Sequence, residues 1–232
     1  MKKVITLILV CVMLLVSIIP ASAAEKTKKL QFDKDGEFKV LHICDCQDGF
    51  PAQEKMFIYI NYMLETYKPD LVVLGGDNTV GEEETKEQAI EELVAPFVEN
   101  ETYFTLVFGN HDHQQGVEKE ELLEMYQKYG GKYCLAYDAD PDITGVANHN
   151  LPIYSSDGEK IKFNLWLIDS LNYVTDENGD EIGYDSVRED QIEWYKDTYK
   201  KLEKEAGEKV YSLAFQHIIP GEVYDVMFPQ VK

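Results

Sequence analysis

Tyr103-Phe104-Thr105-Leu106-Val107-Phe108-Gly109-Asn110-His111-Asp112-His113 is an apolar run that stops at a glycine and turns polar at once. Tyr103 to Phe108 reads as a buried strand, and a glycine at its end lets the backbone turn sharply. In open α/β sheets the carboxyl ends of strands are where ligands sit. Asn110 offers a neutral oxygen donor, His111 an imidazole for proton transfer, and Asp112 a carboxylate to orient it. By itself the run also has the composition of a polar turn.

Working outward, three more apolar runs end in the same abrupt way. Phe38 to Cys44 leads into Asp45-Cys46-Gln47-Asp48-Gly49, Leu71 to Leu74 into Gly75-Gly76-Asp77-Asn78, and Val210 to Phe215 into Gln216-His217. Four strands of a parallel sheet with such ends would aim their polar tips at one crevice. The intervening segments are helical in period. Ala52 to Tyr67 carries Met56, Ile60, Met63, Leu64 and Tyr67 at spacings of three and four, and Pro69 ends it. Thr85 to Val98 has the stripe Ile90, Leu93, Val94 and Phe97, with Pro96 as an expected kink or stop. Glu118 to Tyr129 is closed by Gly130-Gly131. Strand–helix alternation of this kind predicts right-handed crossovers and a mainly parallel sheet.

Beyond residue 138 the texture changes. Leu151 to Ser155 and Ile161 to Ile168 predict a hairpin about Ser156-Asp157-Gly158-Glu159. Asp176 to Gly183 reads as an acidic loop; Asp176, Asn178 and Asp180 give half of an EF-hand spacing, but Glu181 is misplaced for its bidentate ligand. Val187 to Ala206 is a charged amphipathic helix, with Ser186 and Glu189 as an expected capping box. No internal repeat or domain boundary is visible.

The 232 residues suffice for one domain with a real core, and the formal net charge is −21. So acidic a surface repels phosphates and argues against nucleic acid or an anionic membrane as partner. Residues 1–24 read as a cleaved secretory signal: Lys2 and Lys3, the apolar run Val4 to Ile19, then Pro20-Ala21-Ser22-Ala23-Ala24. That implies an extracytoplasmic protein with no membrane span after cleavage. Residues 25–34 are expected to be a flexible start, and 35–232 the folded domain. Cleavage leaves Cys44, Cys46 and Cys134, an odd number with at least one free thiol. Cys44 and Cys46 are expected to be small buried side chains and His42 a core residue. His113 and His149 are expected to be solvated or substrate-side loop histidines.

The ordered set Asp45, Gly76-Asp77, Gly109-Asn110-His111-Asp112 and His217 resembles the calcineurin-like metallophosphoesterases. Within them it is similar to the branch related to purple acid phosphatases, as are Trp166-Leu167-Ile168-Asp169-Ser170, Gln191-Ile192-Glu193-Trp194-Tyr195 and Phe215-Gln216-His217-Ile218. The resemblance implies an α/β fold, a layered αββα sandwich. It implies two divalent metal ions (Mn, Fe, Zn or Mg) and a phosphate-ester substrate cleaved by a metal-activated water. Asp77 would bridge the ions, Asp45 would hold the first, and Asn110 and His217 the second. His111 would stabilise the transition state or protonate the leaving alkoxide, with Asp112 hydrogen-bonded to its ring as tautomer setter. Gln47 stands where the family has a histidine ligand, so the first ion would be loosely held and of a harder kind. Val80 stands where purple acid phosphatases proper have a metal-binding tyrosine, so no iron–tyrosinate centre is expected. The family's Gly-His-x-His motif is absent before Lys232, which implies a C-terminally truncated chain with an incomplete second sheet and an exposed edge. The resulting reading is a secreted metal-dependent phosphoesterase. Its rivals are a non-catalytic metal- or phosphate-binding relative and a thiol-redox protein using Cys44 and Cys46.

Overall fold

The computed structural model describes residues 29–114 and 116–227; the expected signal segment lies outside the described residues. The first half forms the alternating unit that the periodicity predicts. Strand β1 (Val40–Ile43) is followed by helix α1 (Glu54–Tyr67), β2 (Leu71–Gly75), α2 (Glu83–Glu99), β3 (Phe104–Val107) and α3 (Lys119–Gly130). The three strands make one parallel sheet in the order β1-β2-β3. β2 and β3 are buried along their whole lengths, which is why they carry no polar alternation. Helix α2 runs past Pro96 to Glu99 rather than stopping there.

The second half contributes β4 (His149–Tyr154), β5 (Ile161–Leu167), β6 (Tyr173–Thr175), β7 (Glu181–Tyr184), α4 (Glu189–Ala206), β8 (Tyr211–Phe215) and α5 (Gly221–Met227). β4 pairs antiparallel with β5, and β5 parallel with β8. The last strand thus belongs to a second sheet, not to the first as its polar end suggested. At the sheet's margin β8 leaves Tyr211 and Leu213 exposed.

Three apolar clusters define four layers. Val72, Leu74, Leu106 and Phe108 face Ile60, Ile90, Leu93 and Leu122 of the helices. The alternate residues Leu71, Val73 and Val107 meet Leu151, Ile153, Leu165 and Leu167 between the sheets. On the far side Trp166 and Ile168 pack on Leu202, Trp194 and Tyr195 of α4. Strand side chains alternate faces, so the inner strands β2 and β5 are packed on both faces, and the result is an αββα sandwich.

Several local expectations differ from the structure. Residues 29–34 are held in place: Phe32 N–H donates to Tyr154 O at 2.9 Å, Tyr154 N–H to Leu30 O at 2.8 Å, and Leu30 is buried. The acidic segment 176–183 is no plain loop. It is the turn and second strand of the β6–β7 hairpin, closed by Asp176 N–H on Asp180 O at 2.9 Å. The first turn of α4 is stapled by Gln191, not Glu189: Arg188 N–H donates to Gln191 Oε1 at 2.7 Å. Gln191 is almost fully buried, and its amide also donates to Asn148 Oδ1 and Asp169 O, which locks α4 to the end of β5.

Candidate metal centre

The loops after β1 and β2 extend the parallel pairing beyond the sheet. Asp45 N–H donates to Gly76 O at 3.1 Å, Gln47 N–H to Asp77 O at 3.0 Å, and Val80 N–H to Asp48 O at 3.0 Å. This zipper sets Asp45, Gln47 and Asp77 side by side. All three adopt left-handed backbone, with φ of 56°, 44° and 50°. That region is uncommon for residues with a Cβ, and such strain persists where the surroundings over-determine it, often at functional sites.

Asp77 is the hub. Its Oδ1 accepts the His111 backbone N–H at 2.9 Å, and its Oδ2 lies 3.0 Å from Gln47 Nε2 and 3.3 Å from His217 Nε2. Two glycines permit this crowding. A Cβ on Gly109 would come within 2.2 Å of Asp77 Oδ1, and one on Gly76 within 2.6 Å of the His217 ring. The residue types at 76 and 109 are therefore dictated by the approach of other chain segments.

His217 reports what the site can hold. Its Nδ1 lies 2.9 Å from Gly75 O. A carbonyl only accepts, so Nδ1 carries the proton, the arrangement typical of metal-ligating histidines. Neutral His217 then turns the bare lone pair of Nε2 toward the Asp77 carboxylate. Two acceptors face each other unless a positive charge stands between them: a proton on Nε2, or a cation. Both partners respond accordingly. The hydrogen bond to Asp77 raises the His217 pKa against the opposing effect of desolvation. Burial pushes the Asp77 carboxyl up, but the contacts with His217 and His111 outweigh it and hold it below the usual range. Asp45, exposed, places its carboxylate within 4.8 Å of donor atoms of His217 and Cys44. The donor set, carboxylates and an imidazole, suits a divalent ion.

The other expected residues divide. Asn110 is buried beside this group, but its amide Nδ2 donates to the Tyr173 hydroxyl. With its nitrogen so engaged, Oδ1 is the atom left to ligate. Gln47 turns its NH2 to Asp77 Oδ2 at 3.0 Å, which leaves its Oε1, a weaker donor than an imidazole, as the atom left to ligate. Asp112 does not orient His111. Its buried carboxylate accepts from Asn78 N–H at 2.8 Å, Thr79 N–H at 3.2 Å, Gly109 N–H at 2.8 Å and Asn78 Nδ2 at 3.4 Å, so it staples the β2 loop to the β3 loop. The His111 ring is held instead by Gln114, whose Oε1 is 2.9 Å from Nδ1. An amide oxygen only accepts, so Nδ1 is protonated and Nε2 is free for proton transfer.

Four further expectations are corrected. His42 and Cys44 are exposed rather than core, and His42 sets its ring against Phe215 at 5.3 Å. Cys46 is half-buried. His149 is no loop residue but wholly buried at the start of β4, its Nδ1 2.6 Å from Ala147 O and its Nε2 2.7 Å from Thr105 Oγ1. Sequence reasoning missed Tyr173 and Gln114. The three-residue spacing of His111 and Gln114 within a turn was a usable signal. Tyr173 had none, because its approach depends on the β6–β7 hairpin.

A family profile described as calcineurin-like phosphoesterase matches residues 38–228. Among curated proteins, the chain is 29% identical over 222 residues to probable inactive purple acid phosphatase 14 of Arabidopsis thaliana, covering 85% of this chain and 55% of that protein. It is 27% identical to probable inactive purple acid phosphatase 29 of the same plant, covering 88% and 58%. It is 26% identical to phosphatase DCR2 of Saccharomyces cerevisiae, covering 82% and 36%. The chain thus spans little more than half the length of the two plant relatives, and less of the yeast one.

Proposed function

This chain belongs to the calcineurin-like phosphoesterase family, of the purple acid phosphatase-like branch, and from that premise we propose that it is a metal-dependent phosphoesterase acting on phosphomonoesters or phosphodiesters outside the cytoplasm. The observation that carries the reading is the opposed pair His217 Nε2 and Asp77 Oδ2, 3.3 Å apart with Nδ1 already committed to Gly75 O. Asp45, Asp77, Asn110 and His217 would hold two divalent ions. When bound, such ions polarise the phosphoryl group and lower the pKa of a coordinated water. Gly109, by lacking a side chain, keeps Asp77 close to the β3 loop. Asp112 fixes the two loops against each other. His111, anchored through Nδ1 by Gln114, presents Nε2 to hold or deliver the proton that the leaving alkoxide needs. Export rests on the segment 1–24 with its lysines, apolar run and small residues.

The test is hydrolysis of a chromogenic phosphate ester with added Mn²⁺. We expect turnover in the wild type. In His111→Ala we expect a fall of roughly 10²–10⁴-fold, with metal content unchanged. Absence of turnover across Mn²⁺, Zn²⁺, Mg²⁺ and Fe²⁺ would overturn the enzymatic reading. It would leave the second one, a non-catalytic metal- or phosphate-binding relative. Two features favour that alternative: Gln47 where the family has a histidine, its NH2 turned to Asp77 and only a neutral amide oxygen left to ligate, and the word inactive in the names of two plant relatives.

A further inference from the structure

We propose that Cys44 is an additional metal ligand, and that its thiolate joins Asp45 and His217 to give the centre an affinity for thiophilic divalent ions of the zinc and cadmium class. The inference rests on the reading of Asp45 and His217 as metal ligands and adds a donor that the reading does not include. One donor atom from each of Cys44, Asp45 and His217 lies within 4.8 Å of the other two. The sulfur is 3.8 Å from His217 Nδ1 and 3.3 Å from Gly75 O, to which its S–H donates. It therefore shares with His217 the carbonyl that orients the imidazole.

The geometry is close to what an ion needs. Zinc sits roughly 2.0–2.3 Å from nitrogen, oxygen and sulfur donors, so the donors of one ion stand somewhat nearer together than 4.8 Å. Cys44 and Asp45 are both exposed, which leaves their side chains room to turn toward an ion. Chemistry explains the need. The neighbouring Gln47 turns its NH2 toward Asp77 and keeps only a neutral amide oxygen where a histidine would provide a nitrogen donor. The sulfur of Cys44, immediately before Asp45 and on the β1 side of the crevice, supplies a softer donor than that amide oxygen. Three protein donors with a position left open is the pattern of reactive rather than purely structural zinc sites. On binding, the Cys44 S–H bond is replaced by a sulfur–metal bond, and the proton passes to solvent; no oxidant or reductant is involved.

The experiment uses the full chain with its thiols reduced, titrated with Cd²⁺ alone and followed by the sulfur-to-cadmium charge-transfer absorption in the ultraviolet. Mn²⁺ uptake is measured in parallel on the same preparations. We expect the band to appear and saturate in the wild type, to be lost in Cys44→Ser, and to persist in Cys46→Ser. Wild type that takes up Mn²⁺ but shows no cadmium–sulfur band overturns the thiolate ligand and leaves the phosphoesterase reading standing. A band that survives Cys44→Ser assigns the sulfur elsewhere and overturns it equally. Wild type that binds neither ion removes this inference together with the centre on which it rests.

Discussion

Tyr173 makes the residue-scale argument most sharply. Its hydroxyl takes the Asn110 amide N–H, and its ring meets that of His111 edge-on at 6.2 Å. Removing the hydroxyl frees the amide to rotate, so Asn110 no longer presents Oδ1 by default. A neutral hydrogen bond contributes about 0.5–1.5 kcal/mol. Tyr173→Phe should therefore weaken metal retention and lower kcat by roughly two- to tenfold, with KM and thermal stability little changed. Metal titration beside steady-state kinetics checks this; a variant indistinguishable from wild type would remove Tyr173 from the site. What was legible at this scale were the acids, amides and imidazoles at strand ends, because a run of apolar residues frames them. Their partners were not legible. Asp112 reaches residues 34 positions away in sequence at Asn78, and nothing in Gly109-Asn110-His111-Asp112 distinguishes a carboxylate that holds a ring from one that staples loops.

At the scale of elements, the parallel strands and the helices between them were readable, since their apolar periods run for several turns or fill both faces of a sheet. The β6–β7 hairpin was not, because strands as short as Tyr173–Thr175 and Glu181–Tyr184 carry too few residues to show alternation and enclose an acidic turn. Nor was the clamp between α3 and the end of β5. Lys119 Nζ lies 2.9 and 3.0 Å from the Asp169 oxygens, and the carboxylate also accepts from Val146 N–H and Leu171 N–H. Both residues are buried. Breaking such a pair leaves an uncompensated charge and costs about 3–5 kcal/mol. Asp169→Ala should accordingly lower Tm by roughly 2–4 °C for each kcal/mol lost, measured by calorimetry. An unchanged Tm would show that the clamp does not hold α3 to the second sheet.

Across the whole molecule, four layers bring the ends of strands from two different sheets to one place, and the same packing buries His149 between them. Burial drives the His149 pKa down to about 4, below the ordinary value near 6.5. The folded state therefore binds this proton less readily than the unfolded chain does. The stability tied to neutral His149 is fully present above about pH 6.5, declines as the pH falls, and is exhausted below about 4. The window corresponds to about 3 kcal/mol. An NMR titration of the five histidines should find one ring neutral well below pH 6, and replacing His149 should remove that resonance. The central claim is the convergence itself, with Asp77 as its hub. Its most direct measurement is Mn²⁺ uptake by equilibrium dialysis in wild type and in Asp77→Asn, with circular dichroism confirming that both are folded. Loss of an outer-shell partner alone typically costs 10–100-fold in metal affinity, so loss of the hub should weaken uptake by at least about 100-fold. Uptake by folded Asp77→Asn equal to that of wild type would contradict the account.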